Sequence, residues 1–176
     1  MAGSGKTAFA NYLQAKYGFV KLSFAAPVKS IAQAALMIPI DKRKPEHRRL
    51  LQQLGTDVFR AAKANVWIYH MALELAKYGD ADNIVIDDVR FKNEAEFLQG
   101  EGFKLIKITG GDRRVKIGDD LRAHTSEKEV GEIECDDMIV NSGSFTDAVV
   151  QLEALIESYA KTPFERDFIR VLRRGR

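Results

Sequence analysis

The chain has 176 residues, a net charge of +2, 45% hydrophobic residues and a single cysteine. This composition is typical of one globular domain, the small charge does not indicate nucleic-acid binding, and one cysteine excludes an internal disulfide framework. No apolar run is long enough to cross a bilayer and no signal-peptide pattern opens the chain, so we expect one compact domain in a reducing cytoplasm.

In the first half of the chain, hydrophobic periodicity and the positions of proline and glycine predict four helices and one short strand. The strand covers residues 19–24, and the helices cover residues 6–16, 28–37, 46–55 and 65–78. Gly55 is expected to end the third helix, and Thr56 to cap a short further helix that contains Arg60.

The second half of the chain alternates strands with helices. Strands are predicted within residues 83–91, 103–109 and 137–142, and helices at residues 92–102 and 144–160. The run Ile84–Ile86 lacks polar alternation, as expected for a strand covered on both faces. One face of the last helix is apolar, with Phe145, Val149, Leu152, Leu155 and Ile156. The whole pattern predicts an α/β fold, with a parallel sheet between helices.

The opening stretch AGSGKT matches a phosphate-binding loop in all but its first glycine. Backbone N–H groups of Gly3, Ser4 and Gly5 can converge on phosphate oxygens, because little side-chain bulk blocks the approach. Lys6 offers a cation to the β- and γ-phosphates, and Thr7 offers a hydroxyl to Mg²⁺. The alternative is a glycine-rich N-terminus before an ordinary helix, and the α/β pattern that follows favours the nucleotide site.

Two carboxylates and an arginine follow the strand that contains Ile84–Ile86. Asp87 and Asp88 suit a magnesium ion or an acceptor proton, and Arg90 suits a phosphate. Because neighbouring residues on a strand point to opposite faces, we expect only one of the two carboxylates to meet a nucleotide, and the sequence leaves open which. The alternative is a solvent-exposed turn at the end of a strand.

Six motifs resemble those of bacteriophage deoxynucleoside monophosphate kinases. They are GSGKT, LSFAAPVK, LLQQLGTDVFR, IDDVRFKNEAEFL, HTSE and DDMIVNSGS, and they extend from Ala2 to about Ile156. DDVRFKNEAEF is the most specific, whereas GSGKT is shared by many unrelated proteins. The resemblance implies the three-layer P-loop nucleoside monophosphate kinase fold. It also implies transfer of the γ-phosphoryl group of ATP to a deoxynucleoside monophosphate, with Mg²⁺.

The resemblance further implies roles for individual residues. ATP would be bound by Gly3, Ser4, Gly5, Lys6, Thr7 and Arg114, with Thr7 and Asp88 on the metal. The monophosphate would be bound by the acceptor part, about residues 25–80, by residues next to it along the chain and by the end of the lid. The residues are Phe24, Ala25, Lys29, Arg60, Trp67, Asp87, Arg90, Glu94 and His124. A lid over about residues 110–127 would carry Arg113, Arg114 and Arg122, with His124, Ser126 and Glu127 at its closing end. Catalysis would rest on Lys6, Asp88, Arg90, Arg113 and Arg122.

Several of these residues also have plainer interpretations. Trp67 and Met71 lie four residues apart and fit the core face of a helix, and His124 fits an exposed hydrogen-bonding position. The arginine-bearing segment fits a solvated loop. We expect the kinase-like domain to cover residues 1–162 and a basic helix or tail to cover residues 163–176. Nucleotides are the expected partners, a homodimer is possible, and nucleic-acid or membrane binding is not expected.

The resemblance places the first strand of the family in the centre of the sheet, between the third and fourth strands. No residues precede Met1 to form it, and we expect the chain to be a shortened form of a longer product. Alternatively, a different segment fills the gap, including one from a second copy of the chain, or the sheet has closed up. Two further functions stay open: another small-molecule P-loop kinase, such as a dephospho-coenzyme A kinase, and a non-catalytic nucleotide-binding or scaffold protein.

Overall fold

The computed structural model describes residues 5–79, 82–110 and 132–160. These ranges contain helices α1 (Lys6–Tyr17), α2 (Ala26–Leu36), α3 (Pro45–Gln52), α4 (Val66–Leu75), α5 (Lys92–Gly100) and α6 (Phe145–Ala160), and a π-helix at Gln53–Arg60. The strands are β1 (Val20–Leu22), β2 (Ile84–Ile86), β3 (Ile106–Gly110) and β4 (Asp137–Asn141). Within the same ranges, none of the helices combines the length and the apolar character needed to cross a membrane.

The strands form two parallel pairs. In the first pair Lys21 of β1 lies opposite Val85 of β2, and in the second Gly110 of β3 lies opposite Asn141 of β4. The parallel pairing is confirmed, and within the described residues no backbone pairing joins β2 to β3, so these four strands form two separate pairs. The break between β2 and β3 coincides with the place where the resemblance puts an additional strand.

Two hydrophobic clusters cover opposite faces of β2. The α1 cluster is built from α1, β4 and α6, with buried Phe9, Leu13, Ile139, Ala148, Val149 and Leu152. The α2 cluster is built around α2, α4 and α5, with buried Phe24, Val28, Trp67, Met71 and Leu98. Val85 packs against the α1 cluster and its neighbour Ile86 against the α2 cluster, so β2 is covered on both faces as predicted.

The α1 cluster also connects the two strand pairs. Val85 of β2 and Ile106 and Ile108 of β3 all pack against it. Burial of apolar surface between helix and strand side chains therefore holds the pairs together in place of backbone hydrogen bonds. The predicted apolar face of α6 is confirmed where Val149 and Leu152 are buried in this cluster.

Polar contacts between α1 and α6 lie beside the α1 cluster. The carboxylate of Glu153 accepts hydrogen bonds from Tyr12, Lys16 and, at 2.9 Å, Tyr17. These donors, the lysine first, lower the pKa of Glu153 to about 2. The contacts are largely exposed and therefore orient the two helices more than they stabilise them.

The region around Gly55 departs from the sequence prediction. Gly55 does not end a helix and Thr56 does not cap one, because both lie inside the π-helix, which continues directly from α3. Gly55 is buried, with Val28 side-chain atoms 3.5 Å from the position that a Cβ would take. Its carbonyl accepts a hydrogen bond from Trp67 Nε1 at 2.8 Å. Tertiary packing thus overrides the usual helix-ending tendency of glycine.

The backbone conformation at the end of α2 predicts the effect of a substitution on stability. Met37 has φ of 53° in the left-handed region and is 91% exposed. Met37→Gly should raise the free energy of unfolding by about 0.5–1 kcal/mol, because glycine adopts this conformation without steric cost and little packing is lost. Urea denaturation measures the change. Met37→Ala keeps the steric cost and should show no gain, so equal stabilities of the two variants would contradict the prediction.

Candidate functional site

The start of α1 carries the described part of the phosphate-binding loop. Gly5 precedes the helix with φ of 92°, a value that glycine adopts readily, and its carbonyl accepts the Phe9 N–H at 3.1 Å. Lys6 and Thr7 are the first helical residues, and Thr7 is exposed. N–H groups in the first turn of a helix have no partner within the helix, so this end favours anions. Gly3 and Ser4 lie outside the described residues.

The carboxyl end of β4 lies against the start of α1, and the end of β3 lies beside it. A Cβ at Gly5 would stand 2.9 Å from Asn141 Nδ2, and a Cβ at Gly110 would stand 2.5 Å from the Asn141 carbonyl oxygen. Asn141 falls within the motif DDMIVNSGS, but the motif predicts no role for it. The available signal was its position, since polar residues at the carboxyl ends of parallel strands line the ligand crevice in open α/β sheets.

Asp87 forms an ion pair on the face of β2 that packs against the α1 cluster. Its Oδ2 lies 3.1 Å from Lys21 Nζ, and the side chain is 10% exposed. Lys21 also donates to Asn11 of α1 at 3.0 Å. Asp87 therefore helps to connect β2 to β1 and α1 through a charge pair.

Asp88 accepts hydrogen bonds on the opposite face of β2, beside the start of α2. It accepts hydrogen bonds from Ser23 Oγ at 2.6 Å and from the backbone N–H groups of Phe24 and Ala25, both at 3.0 Å. These bonds fix the turn that enters α2. The ring of Phe24 is buried in the α2 cluster, so only its backbone reaches the carboxylate, and Lys29 lies one turn further, half-buried.

A buried ion pair lies next to Asp88. Arg60 Nη2 lies 2.6 Å from Glu94 Oε1, with side-chain exposures of 11% and 3%. The guanidinium also stands 3.8 Å from the centroid of the Phe91 ring, and its Nη1 donates to the Ala64 carbonyl at 3.1 Å. The second Glu94 oxygen accepts the Arg90 N–H at 2.9 Å. Arg60 of the π-helix is therefore tied to the start of α5 and to the backbone of Arg90.

The pKa of Glu94 shows how closely these groups are packed. Burial is the largest influence and raises this pKa, and the negative charge of Asp88 acts in the same direction. The N–H groups of Arg90 and Phe91 and the charge of Arg60 oppose the rise. Asp88 and Glu94 are thus close enough to interact electrostatically, and the structure brings Asp88, Arg90, Glu94 and Arg60 into one site.

Trp67 occupies the core position that its helical spacing also predicts. It is 3% exposed, packs edge-on against Phe59 with ring centroids 5.6 Å apart, and donates to the Gly55 carbonyl. The indole is therefore satisfied within the protein. The remaining candidates, Arg113, Arg114, Arg122, His124, Ser126 and Glu127, lie outside the described residues.

The residues present fit a magnesium ion that is held largely by phosphate and water. Thr7 offers an exposed hydroxyl, and Asp88 offers carboxylate oxygens that already accept three hydrogen bonds. Over residues 5–79, 82–110 and 132–160 no group of three acidic, histidine or cysteine side chains forms a metal cage. Mg²⁺ in phosphoryl-transfer sites keeps several waters and needs only one or two protein ligands, so such a site does not require a cage of protein side chains.

Comparison with known proteins gives three findings. A family model described as deoxynucleotide monophosphate kinase matches residues 37–151. A protein of Acanthamoeba polyphaga mimivirus with the name "Putative deoxynucleotide monophosphate kinase" is 31% identical over 89% of this chain and 92% of its own length. "Uncharacterized protein ORF77" of Ictalurid herpesvirus 1 (strain Auburn) is 30% identical over 84% of this chain, which spans 64% of that protein.

Removing the Glu94 carboxylate tests the buried pair. Glu94→Ala should lower the free energy of unfolding by about 3–5 kcal/mol, because the Arg60 guanidinium loses its buried partner and two backbone N–H groups lose an acceptor. Urea denaturation measures the loss. Glu96→Ala, on the exposed face of the same helix, is the control and should change stability by less than about 0.5 kcal/mol. Equal losses would contradict the pairing.

The raised pKa of Glu94 predicts a pH dependence. Stability associated with this group is fully present below its ordinary pKa of 4.5 and is lost as pH rises through the raised pKa, because ionisation is then costlier in the folded protein. Glu94→Gln cannot ionise and should lack this fall. Denaturation of both proteins between about pH 4 and about pH 8 covers the window. Parallel pH profiles would contradict a raised pKa.

Proposed function

Because the chain belongs to the deoxynucleotide monophosphate kinase family and phosphorylates deoxynucleoside monophosphates, we propose that it transfers the γ-phosphoryl group of ATP, with Mg²⁺, at the start of α1. One observation carries the proposal. The start of α1 lies against the carboxyl end of β4, where Gly5 meets Asn141, and β4 pairs there with the parallel strand β3. Helix N-termini at the carboxyl ends of parallel strands are suited to phosphate.

On the donor side, Lys6 places a cation on the β- and γ-phosphates, and the backbone of Gly3, Ser4 and Gly5 cradles them. Thr7 and Asp88 would hold Mg²⁺, Asp88 with the acceptor capacity that the turn before α2 leaves free. When bound, Mg²⁺ neutralises charge on the phosphate oxygens. Phosphoryl transfer depends on such positioning and charge more than on covalent chemistry of the protein.

On the acceptor side, Arg90 binds the monophosphate, and the pair Arg60–Glu94 positions it. Glu94 holds the Arg90 backbone through a 2.9 Å hydrogen bond, and Arg60 holds Glu94. This arrangement supports a positioning role for Arg60 and Glu94, because their charges pair with each other. Lys29 and the backbone of Phe24 complete the acceptor side in this proposal, whereas Asp87, on the opposite face of β2, stays paired with Lys21.

The remaining assignments are proposals from the family resemblance. Arg113, Arg114 and Arg122 supply charge to the transferring phosphoryl group from a lid, and His124 contacts the acceptor nucleotide. The three-layer P-loop arrangement, association into a homodimer and location in a host cytoplasm also belong here. So does the division into a kinase domain, residues 1–162, and a basic tail, residues 163–176.

Lys6→Ala tests the donor side and the non-catalytic alternative together. Loss of the phosphate-binding cation should lower kcat/KM by at least about 100-fold in a coupled assay across the four deoxynucleoside monophosphates. The matched control is Lys16→Ala on the same helix, whose charge pairs with Glu153 at the surface and whose loss should leave turnover within about 2-fold. Full activity of Lys6→Ala, or phosphorylation of no monophosphate by the unaltered protein, would overturn the proposal.

Trp67→Phe separates a core role from stacking on the acceptor base. The variant leaves the Gly55 carbonyl without its indole donor and should lower the free energy of unfolding by about 1–2 kcal/mol, with KM for the monophosphate within about 2-fold. Denaturation and steady-state kinetics provide the two measurements. Tyr69→Phe, on the exposed side of α4, should change neither. A raised KM with unchanged stability would instead indicate base stacking.

A further inference from the structure

We propose that Asn141 is a positioning residue for the ATP phosphates, acting through the first turn of α1. The inference rests on the proposed function, because it assumes that this turn binds phosphate. Neither the sequence motifs for the phosphate loop nor the residues expected on the acceptor side include Asn141. It joins the site only through the tertiary structure, as the last residue of β4.

The side chain of Asn141 lies against the backbone of Gly5. The Asn141 Nδ2 atom occupies space 2.9 Å from where a Cβ at Gly5 would lie, and the Phe9 ring is 3.5 Å from the same point. Any side chain at Gly5 would therefore displace the amide, and φ of 92° would strain it further. The amide and the loop backbone are in direct contact, at the residue that precedes Lys6.

Asn141 is itself held firmly. Its carbonyl oxygen stands 2.5 Å from where a Cβ at Gly110 would lie, so the backbones of β3 and β4 approach closely at their ends. Gln151 of α6 bonds both backbone groups of Val140, at 3.0 Å and 3.1 Å. Ile139 is fully buried in the α1 cluster. Asn141 is thus fixed from β3, from α6 and from the core.

The amide chemistry of Asn141 suits a place beside phosphate. An asparagine amide is neutral and donates hydrogen bonds, so it can lie next to a phosphate site without repelling the ligand. An aspartate has nearly the same shape but would place a negative charge against the turn that receives the phosphates. Exchange of the two side chains therefore separates shape from charge at this position.

The experiment compares Asn141→Asp and Asn141→Ala with the full-length unaltered protein. Binding of a fluorescent ATP analogue gives Kd, and inhibition by inorganic tripolyphosphate reports on the phosphate end alone, since tripolyphosphate has no base or sugar. Asn141→Asp should weaken both by at least about 10-fold at low salt and by less at high salt, because the added repulsion is screened. Asn141→Ala should weaken both by a smaller factor that does not depend on salt.

Gln151→Ala is the matched control. It removes two hydrogen bonds to β4 one residue away from Asn141 but adds no charge near α1, so it should lower Tm and weaken ATP binding by clearly less than Asn141→Asp does, with no dependence on salt. Circular dichroism checks that each variant is folded, and Asn141→Ala keeps the test decisive should Asn141→Asp not fold.

The outcomes separate the inference from the function on which it rests. Unaltered nucleotide binding by both Asn141 variants, or equal weakening in Gln151→Ala, would overturn the role of Asn141 while leaving kinase activity in place. If the unaltered protein neither binds the ATP analogue nor phosphorylates any deoxynucleoside monophosphate, both the inference and the proposed function fail. Selective, salt-dependent weakening by Asn141→Asp supports the inference.

Discussion

The structure depends on the packing of β2 between two hydrophobic clusters. Val85 packs against the α1 cluster and Ile86 against the α2 cluster, because neighbouring side chains of a strand point to opposite faces. The same alternation continues into the two carboxylates that follow. Asp87 meets Lys21 on the face of Val85, and Asp88 meets the turn before α2 on the face of Ile86. A shift of one residue along β2 would turn each side chain to the opposite face and bring the charge of Asp87 into the position of Ile86 between the clusters.

Packing of β2 between the clusters also explains why polar groups at its end are already partnered. A buried charge without a partner costs several kcal/mol, so Glu94 persists beside Asp88 only because Arg60 and two backbone N–H groups compensate it. Such a network specifies one geometry for the connection from β2 to α5. Near the start of α1, the close approach of Asn141 leaves no room for a side chain at Gly5 or at Gly110. Rigid surroundings on both sides suit a reaction that depends on positioning.

The sequence predicted most helices and strands because their signals are local. The apolar run at Ile84–Ile86 and the apolar face of α6 both rest on periodicity, and both were confirmed. Gly55 was predicted wrongly, because a hydrogen bond from Trp67 and packing on Val28 outweigh the local tendency of glycine to end a helix. The separation of the described strands into two pairs is decided by which backbones are adjacent in space rather than by the strands themselves.

By itself the sequence determined the mixed α/β class, the helix that begins at Lys6, and the acidic end of β2, all of which are encoded by residue type and spacing over a few positions. Only the tertiary structure decided that Arg60 pairs with Glu94, that the two neighbouring aspartates serve different partners, and that Asn141 lies against Gly5. These contacts join residues that are far apart along the chain. They form only when burial of the two clusters brings the helices and strand ends together. The free energy of that burial cannot be read from any local sequence pattern.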